Sequence, residues 1–289
     1  MKEDYPYPPS LLICRNSEIM ELLKNLFRFA GEVDKKTALA VNILGWVLLI
    51  FFWWLIPTMG WIKPTILPSP FDVISCFTTL VEERNLLYNT GYSIFINLGG
   101  YLQAMAFAIP LGFMIGLIPF FRHLVSKQIE AIRFTPLPAI TGIFMALFGL
   151  GLGVKVEFLA FGIFVYLLPS IAQRIKDIET DDHLKALQQT MWTLNASPWM
   201  TLKHFYIPSV LSRFSMDVIN LVAVSWTYIV IAEMVNAQGG LGSMIYMATS
   251  RGSHVDQLYA VLLLIIFIGF VQDKLLKLLD RKLFKFKYA

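Results

Sequence analysis

The chain has 289 residues, of which 56% are hydrophobic and 15% charged, and its formal net charge is +4. Soluble domains carry roughly 25% charged residues, so this composition and a mean hydropathy of +0.62 exclude an ordinary soluble domain. The positive charge does not indicate nucleic-acid binding, because the lysines and arginines are scattered between apolar blocks.

Residues 1–37 form the predicted cytoplasmic N-terminal segment. Apolar residues between Ile19 and Ala30 recur with helical spacing, and Glu18, Glu21 and Arg28 lie on the opposite face. This pattern predicts an amphipathic helix in the membrane interface, with a loosely ordered tail as the alternative.

Six apolar segments follow, at 38–57, 93–120, 132–150, 158–175, 210–235 and 258–279. About 20 apolar residues in a helix span the hydrocarbon core of a bilayer. The sequence therefore predicts an all-α, polytopic membrane bundle of about six helices within residues 38–280. The third segment is interrupted near its start by Pro136 and Pro138, which leaves a re-entrant or broken helix open there.

The basic residues predict the orientation of these spans. With a cytoplasmic N-terminus, 20 of the 24 lysines and arginines fall on the inside, including those of the basic tail at 281–289. Cytoplasmic loops are enriched in these residues. Both termini are therefore predicted to be cytoplasmic.

The connection between the fourth and fifth spans, at about 176–208, is an unusually long cytoplasmic loop in this topology. Helix connections in bundles are usually about 2–8 residues, and longer ones tend to be functional. Leu187, Met191 and Leu194 keep helical spacing until Asn195 interrupts it. This pattern predicts a first short helix that ends at Asn195.

A second short helix follows. Ser197 is suited to its N-cap and Pro198 to its first position, and Trp199 follows on one face. The Ile207-Pro208 step predicts a break before the fifth span. Together the two helices form a predicted elbow along the membrane that exposes an apolar face to a cytoplasmic partner.

The elbow resembles the EAA loop of ABC-importer permeases, in the form EAARTLGAS-W-T of the nitrate/sulfonate/taurine branch. The sequence reads QTMWTLNAS at 189–197, then Trp199 and Ile207-Pro208. Gln189 begins the triplet that replaces Glu-Ala-Ala, and Asn195 replaces glycine, for which asparagine is the usual substitute in a left-handed helix end. The ATPase-coupling residues that the resemblance implies are Leu187, Gln189, Met191, Leu194, Asn195, Ala196, Ser197, Trp199, Ile207 and Pro208.

Further motifs of the same branch occur in the same order along about residues 64–286. They are LPSPFDVI (67–74), AIPLGFMIGL (108–117), RFTPLPAI (133–140), FGLGLG (148–153), SWTYIVIAEMVNAQGGLGSMIYMA (225–248) and VQDKLLKLLDRKLFKF (271–286). The ordered set is a much stronger signal than any one motif.

The resemblance implies the type I ABC importer permease fold, with a coupling helix between spans four and five. It implies a transport subunit in the cytoplasmic membrane of a prokaryote, acting by alternating access on a small anion of the nitrate, sulfonate, taurine or bicarbonate class. The implied partners are an ABC ATPase, an extracytoplasmic substrate-binding protein, a second copy of the permease and the lipid bilayer, with no nucleic acid. No cofactor is expected on this chain, and ATP and Mg²⁺ belong to the partner ATPase.

Four residues near the fifth span are pathway or gate candidates: Glu233, Asp217, Asn220 and Trp226. Glu233 either lines the pathway or reaches the outer interface, since buried acids in membranes are costly and usually functional. Asp217, at a position where the branch often has glycine, and Asn220 either line the pathway or bond to a neighbouring helix.

Gly112 and Gly116 form a GxxxG pair that indicates close helix packing, including a possible dimer interface.

The chain contains no Walker A motif, no HExxH motif and no convincing Ser/His/Asp set. We therefore expect a transport subunit, not an enzyme, whose energy comes from another protein. The alternatives are a stand-alone secondary transporter or channel, and a non-transporting membrane scaffold. A secondary transporter typically has inverted repeats, which the sequence does not show.

Overall fold

The structure of the chain is a computed structural model that describes residues 28–29, 31, 33–235, 238–250 and 254–288. Every regular element in this part of the chain is a helix, which confirms the all-α prediction. The chain divides into two compact units, Met1–Pro70 and Phe71–Ala289. Apart from Arg28 and Phe29, the predicted interfacial helix before the first span lies outside the described residues.

The first unit contains one long helix, α1, at Lys35–Thr58. The Asp34 side chain caps it by accepting hydrogen bonds from two backbone N–H groups of the first turn, at 3.1 and 3.3 Å. After the helix, the chain returns along it, where the indole N–H of Trp53 donates to the carbonyl oxygen of Pro68 at 3.0 Å. No charged residue lies between Thr37 and Thr58, which suits a helix surrounded by lipid.

The second unit, with the helix that begins at Pro70, contains the remaining described helices. A 3₁₀ turn at Leu137–Ile140 precedes α5, and a π-helical turn at Leu202–Tyr206 joins α8 to α9. The α-helices are α2 (Pro70–Glu83), α3 (Leu86–Leu117), α4 (Pro119–Ile132), α5 (Thr141–Phe148), α6 (Leu152–Asp177), α7 (Asp182–Thr193), α8 (Pro198–Thr201), α9 (Ile207–Asn220), α10 (Val222–Val235), α11 (Leu241–Ser250) and α12 (Val255–Leu283).

Among the described residues, α1, α3, α6 and α12 are each long and apolar enough to cross a bilayer. Two bent pairs meet the same criterion when each is counted as one span: α4 with α5, and the segment α8–α9 with α10. These positions match the six predicted segments. The short helices α2 and α11 between spans were not predicted.

The third predicted span is bent sharply at its two prolines, as the sequence analysis allowed. The helices on either side of the break are bent by 95°. Pro136 has extended backbone, with φ of −69° and ψ of 106°. Because a proline disfavours the helical conformation of the residue before it, the helix ends before Pro136.

Helices α3 and α6 lie side by side and run in the same direction. A Cβ atom on Gly100 would lie 2.8 Å from the side chain of Leu159, and one on Gly112 would lie 2.7 Å from the Cβ of Ile171. Only glycine permits this approach of the two backbones. In both pairs the contacted residue of α6 lies the same number of residues after the glycine, so the two helices run in the same direction. The third span must therefore carry the chain from the end of α3 back to the level at which α6 begins.

The GxxxG pair packs inside the chain. Gly112 and Gly116 are buried against Ile171 and Ile175 of α6, respectively. The two glycines therefore contribute to close packing of α3 against α6.

Helix α10 runs antiparallel to α3, since Ser225 bonds to Asn97 whereas Glu233 bonds to Ser93. These helix directions define two opposite ends of the second unit. We call the end with the start of α3 and the end of α10 the Glu233 end. The opposite end, which carries α7 and the start of α9, is the elbow end.

Candidate functional site

The first helix of the elbow, α7, ends in a left-handed turn at Asn195, whose φ is 51°. The Asn195 N–H donates to the carbonyl oxygen of Trp192 at 2.9 Å, and the Ala196 N–H donates to that of Met191 at 3.1 Å. Bonds of this kind satisfy the last carbonyl groups of a helix that ends at a left-handed residue. The predicted conformation of Asn195 is confirmed.

The second helix of the elbow begins as predicted. Ser197 is the N-cap, its Oγ accepting a hydrogen bond from the Met200 N–H at 3.3 Å, and Pro198 takes the first helical position. Proline suits this position because its missing N–H would have no helical partner there.

The break predicted at Ile207-Pro208 is wrong. The chain continues through Pro208 as helix to the end of α9, and it bends by 49° only at Leu221, between α9 and α10. The π-helical turn before the proline explains the difference: the Ile207 N–H donates to the carbonyl oxygen of Leu202, one residue further back than in an α-helix. This wider turn accommodates the proline ring and its missing donor without a kink.

The turn of the elbow presents large apolar side chains. Trp192, Leu194 and Trp199 are 63%, 71% and 69% exposed, respectively. Clustered exposed apolar residues mark interaction surfaces. Of the other predicted coupling residues, those that are exposed are Leu187, Gln189, Asn195 and Ser197, and those that are half-buried are Met191, Ala196, Ile207 and Pro208.

Two side-chain contacts tie α7 to the helical segment that leads into the fifth span. Asp181 accepts from Arg213 at 2.5 Å and also caps α7 by accepting from the Leu184 N–H at 3.1 Å. The Arg213 hydrogen bond, with a smaller contribution from the Leu184 N–H, holds the pKa of Asp181 below its usual value. The Gln188 amide donates to the Tyr206 hydroxyl at 2.7 Å. The elbow is therefore bonded directly to the helical segment that continues into α9.

At the elbow end, Asp217 is bonded to α6. The Arg174 guanidinium donates to its two carboxylate oxygens at 2.6 and 2.9 Å, and the Ser170 hydroxyl donates at 2.6 Å. Arg174 also pairs with Asp177 at 3.1 Å. Asp217 thus bonds to a neighbouring helix, one of its two predicted alternatives, whereas Asn220 is exposed.

Midway between the two ends, four polar side chains join three helices. Gln272 of α12 accepts from the Trp226 indole N–H at 2.8 Å and donates to Asn97 of α3 at 2.9 Å. Asn97 donates in turn to Ser225 at 3.0 Å. Hydrogen bonds of this kind hold membrane helices together, because an unpaired polar group in an apolar interior is costly. The pathway candidate Trp226 is buried within this chain of bonds.

Glu233 is fully buried within the protein. Its carboxylate accepts from the Ser93 hydroxyl at 2.8 Å and from the Gly242 N–H at 2.8 Å. Ser93 also accepts from the Leu241 N–H at 2.8 Å. Gly240 has φ of 98°, and a Cβ there would overlap the carboxylate. The glycine-containing turn at 238–242 therefore closes directly over Glu233.

The same turn is also bonded to a buried lysine, Lys155. Lys155 is 1% exposed, its ammonium donates to the carbonyl oxygen of Gly239 at 3.2 Å, and it lies 4.9 Å from the ring centroid of Tyr92. Asn89 accepts from the Gly240 N–H at 2.8 Å. Lys155 is therefore part of the interior of the Glu233 end.

Sequence reasoning missed several members of these networks, namely Ser93, Asn97, Lys155, Arg174 and Gln272. Polar residues inside apolar spans are rare and usually paired. That rule could have marked Asn97 and Gln272 as bonded residues, but it could not have identified their partners.

No family model matches the chain. A putative ABC transporter permease of Methanocaldococcus jannaschii is 30% identical over 227 residues, which cover 77% of this chain and 83% of the relative. The taurine transport system permease protein TauC of Escherichia coli is 26% identical, covering 89% of this chain and 92% of TauC. The putative aliphatic sulfonates transport permease protein SsuC of Bacillus subtilis is 22% identical, covering 89% and 96%.

Two kinds of solved structure share the fold. An inward-facing form of the MetNI methionine ABC transporter matches with a TM-score of 0.55 at 15% identity, over 69% of this chain and 94% of that chain. An amino acid ABC transporter with histidines matches with a TM-score of 0.55 at 16% identity, over 71% and 98%. At these identities the likeness shows the fold of type I ABC importer permeases.

Proposed function

Because this chain belongs to the family of ABC transporter permeases, a family of multi-pass membrane transport subunits, we propose that it forms the translocation pathway of an importer driven by a separate ATPase. The elbow is the observation that carries this proposal. Trp192, Leu194 and Trp199 are exposed around one left-handed turn, and Asp181–Arg213 ties the elbow to the fifth span. Exposed apolar side chains on an elbow that is bonded to a membrane span suit a docking surface for another protein whose movement shifts that span.

The partners follow from the same proposal. Two ATPase subunits, which hold ATP and Mg²⁺, dock on the elbows of a permease homodimer, and an extracytoplasmic binding protein delivers the substrate to the opposite end. Closure of the ATPases moves the elbows, and the attached helices switch the pathway between its two faces.

The proposed substrate is a small anion of the sulfonate, taurine, nitrate or bicarbonate class. This choice draws on the taurine and aliphatic sulfonate permeases among the relatives.

The proposed orientation places the elbow end and both termini in the cytoplasm, in the inner membrane of a prokaryote. The elbow end collects most of the basic residues of the second unit, including Arg122, Arg174, Lys185 and Arg213. Cytoplasmic surfaces of membrane proteins are enriched in lysine and arginine. The Glu233 end then faces the binding protein.

The experiment is reconstitution of the chain with its ATPase and binding protein, comparing wild type with Trp199→Ala. We expect stimulated ATPase activity and uptake to fall roughly thirtyfold, since truncating a central tryptophan of an interface typically costs about 2 kcal/mol and about 1.4 kcal/mol is a tenfold change. Trp61→Ala is the matched control, because Trp61 is 70% exposed and Trp199 is 69% exposed.

Full stimulation with Trp199→Ala combined with Leu194→Ala would overturn the assignment of the elbow. Uptake by the purified chain without any ATPase would instead favour a stand-alone transporter.

A further inference from the structure

A cavity of about 480 Å³ lies at the elbow end, among the end of α3, helix α4 and the second half of α6. Its charged lining residues are three bases, Arg122, Arg133 and Lys176, and one acid, Glu130. The lining is therefore positively charged overall, at one end of a bundle that crosses a membrane.

Contacts with other residues place two guanidinium groups at the wall of this cavity. The guanidinium carbon of Arg133 lies 5.4 Å from the ring centroid of Tyr166, which also lines the cavity. The Arg122 guanidinium donates to the carbonyl oxygen of Gly116 in the last turn of α3. Because a guanidinium has several N–H donors, each of these contacts leaves donors for a ligand.

The three bases have no ionic partner in the part of the chain that the structure describes. The bases that form ion pairs there are Arg174, Arg213, Lys277 and Lys287. Asp177 and Asp217 lie beside the cavity, but both are paired with Arg174. Like charges that line one cavity repel each other, so an anion bound between them is stabilised.

Large apolar side chains are exposed next to these bases. Phe120 and Leu124 of α4 are 67% and 52% exposed, and Phe134, directly after Arg133, is 87% exposed. Exposed phenylalanine and leucine beside arginine are typical of a helix in the membrane interface, where apolar side chains contact acyl chains and basic ones reach the headgroups. This surrounding favours a lipid over a free anion as the ligand of the cavity.

We propose that the cavity binds the headgroup phosphate of an anionic phospholipid from the leaflet at the elbow end, with Arg122, Arg133 and Lys176 as its partners. A guanidinium fork matches two oxygens of a phosphate, and the lysine adds a third positive charge. Basic pockets between membrane helices bind the headgroups of anionic lipids in this way. A zwitterionic headgroup is a poorer ligand, because it brings a positive group toward three bases.

The test uses the full chain in nanodiscs of equal parts phosphatidylcholine and phosphatidylglycerol, with native mass spectrometry of the lipid that stays bound. We expect wild type to retain phosphatidylglycerol in preference to phosphatidylcholine. Arg133→Gln combined with Lys176→Gln should lower the retained phosphatidylglycerol at least about tenfold, since two of the three partners are lost. Arg133→Lys alone keeps the charge but not the fork, and it should give an intermediate result.

The matched control is Lys127→Gln combined with Lys282→Gln. It removes the same charge from exposed positions of α4 and α12 that do not line the cavity. We expect it to retain phosphatidylglycerol as wild type does. Arg133 and Lys176 are exposed as well, so both double variants should unfold at the wild-type temperature in pure phosphatidylcholine.

Inorganic phosphate distinguishes a lipid from a free anion. Calorimetric titration of phosphate into the protein in phosphatidylcholine nanodiscs should show no saturable binding, because the proposed ligand is held by its acyl chains as well as by its phosphate. Saturable phosphate binding that is lost in the Arg133→Gln, Lys176→Gln variant would overturn the assignment to a lipid.

Equal retention of phosphatidylglycerol in wild type and in the Arg133→Gln, Lys176→Gln variant would overturn the site itself. An equal loss in the two double variants would also overturn it, because attraction to the whole basic surface would then explain the retention. Lipid retention requires neither the ATPase nor the binding protein, so its result is independent of the proposed transport function.

Discussion

The Ser93 hydroxyl donates to the Glu233 carboxylate at 2.8 Å and accepts from the Leu241 N–H at the same distance. One side chain of α3 therefore bonds both to the end of α10 and to the turn that follows it. All three groups lie in the protein interior, where an unpaired polar group is costly. Ser93 is thus the residue that joins these elements at the Glu233 end.

We predict that Ser93→Ala destabilises the protein by about 1–3 kcal/mol, the usual cost of leaving a buried donor or acceptor unpaired. The substitution leaves one Glu233 oxygen without its donor and the Leu241 N–H without its acceptor. Thermal unfolding in detergent measures the change. Ser75→Ala is the matched control, because Ser75 is exposed and its hydroxyl bonds only within its own helix. An equal effect of the two substitutions would contradict the assigned role of Ser93.

The Arg174–Asp217 pair makes a second prediction at the elbow end. Asp217→Asn should cost about 1–2 kcal/mol, since the side chains are 33% and 15% exposed and solvent weakens the pair only in part. Combining it with Arg174→Gln should cost less than the sum of the single changes, because neither charge is then left alone. A double-mutant cycle of unfolding free energies measures this coupling. Additive costs would mean that the pair does not stabilise the contact of α6 with α9.

Asn195 makes a third prediction, because its left-handed backbone is tolerated by asparagine and glycine but strained for a β-branched residue. Asn195→Gly should keep wild-type stimulated ATPase activity in the reconstituted importer. Asn195→Val should destabilise the turn by about 1–2 kcal/mol and lower the stimulation. Equal activity of the two variants would show that the elbow does not need this conformation.

From the Asp181–Arg213 contact we predict that the stability of α7 depends on pH in the acidic range. Its hydrogen bonds place the folded-state pKa of Asp181 below the ordinary 3.8. The stabilisation is therefore fully present above about pH 4, and it is lost as the pH falls through the folded-state value. Hydrogen exchange of α7, corrected for the intrinsic pH dependence, should accelerate below pH 4 in wild type. In Asp181→Asn it should be fast already at pH 6 and show no such acceleration.

The sequence determined the features that depend on local chemistry or on length. A run of about 20 apolar residues must be a span whatever surrounds it, so all six segments were found. Ser197, Pro198 and Asn195 were placed correctly because caps and left-handed helix ends are set by the few residues around them. The ordered motifs likewise indicate the permease family, because each of them is a short contiguous stretch of the sequence that can be recognised without knowledge of the fold.

Only the tertiary structure decided which polar groups meet. Gln272 and Asn97 are 175 residues apart in the chain, and neither segment contains a pattern that identifies the other as its hydrogen-bond partner. Lys155 belongs to the interior because the turn after α10 covers it. The bend lies at Leu221 and not at Pro208, because a widened turn absorbs the proline. In each case the outcome depends on the free energy of pairing and burying groups from distant segments, which no local pattern encodes.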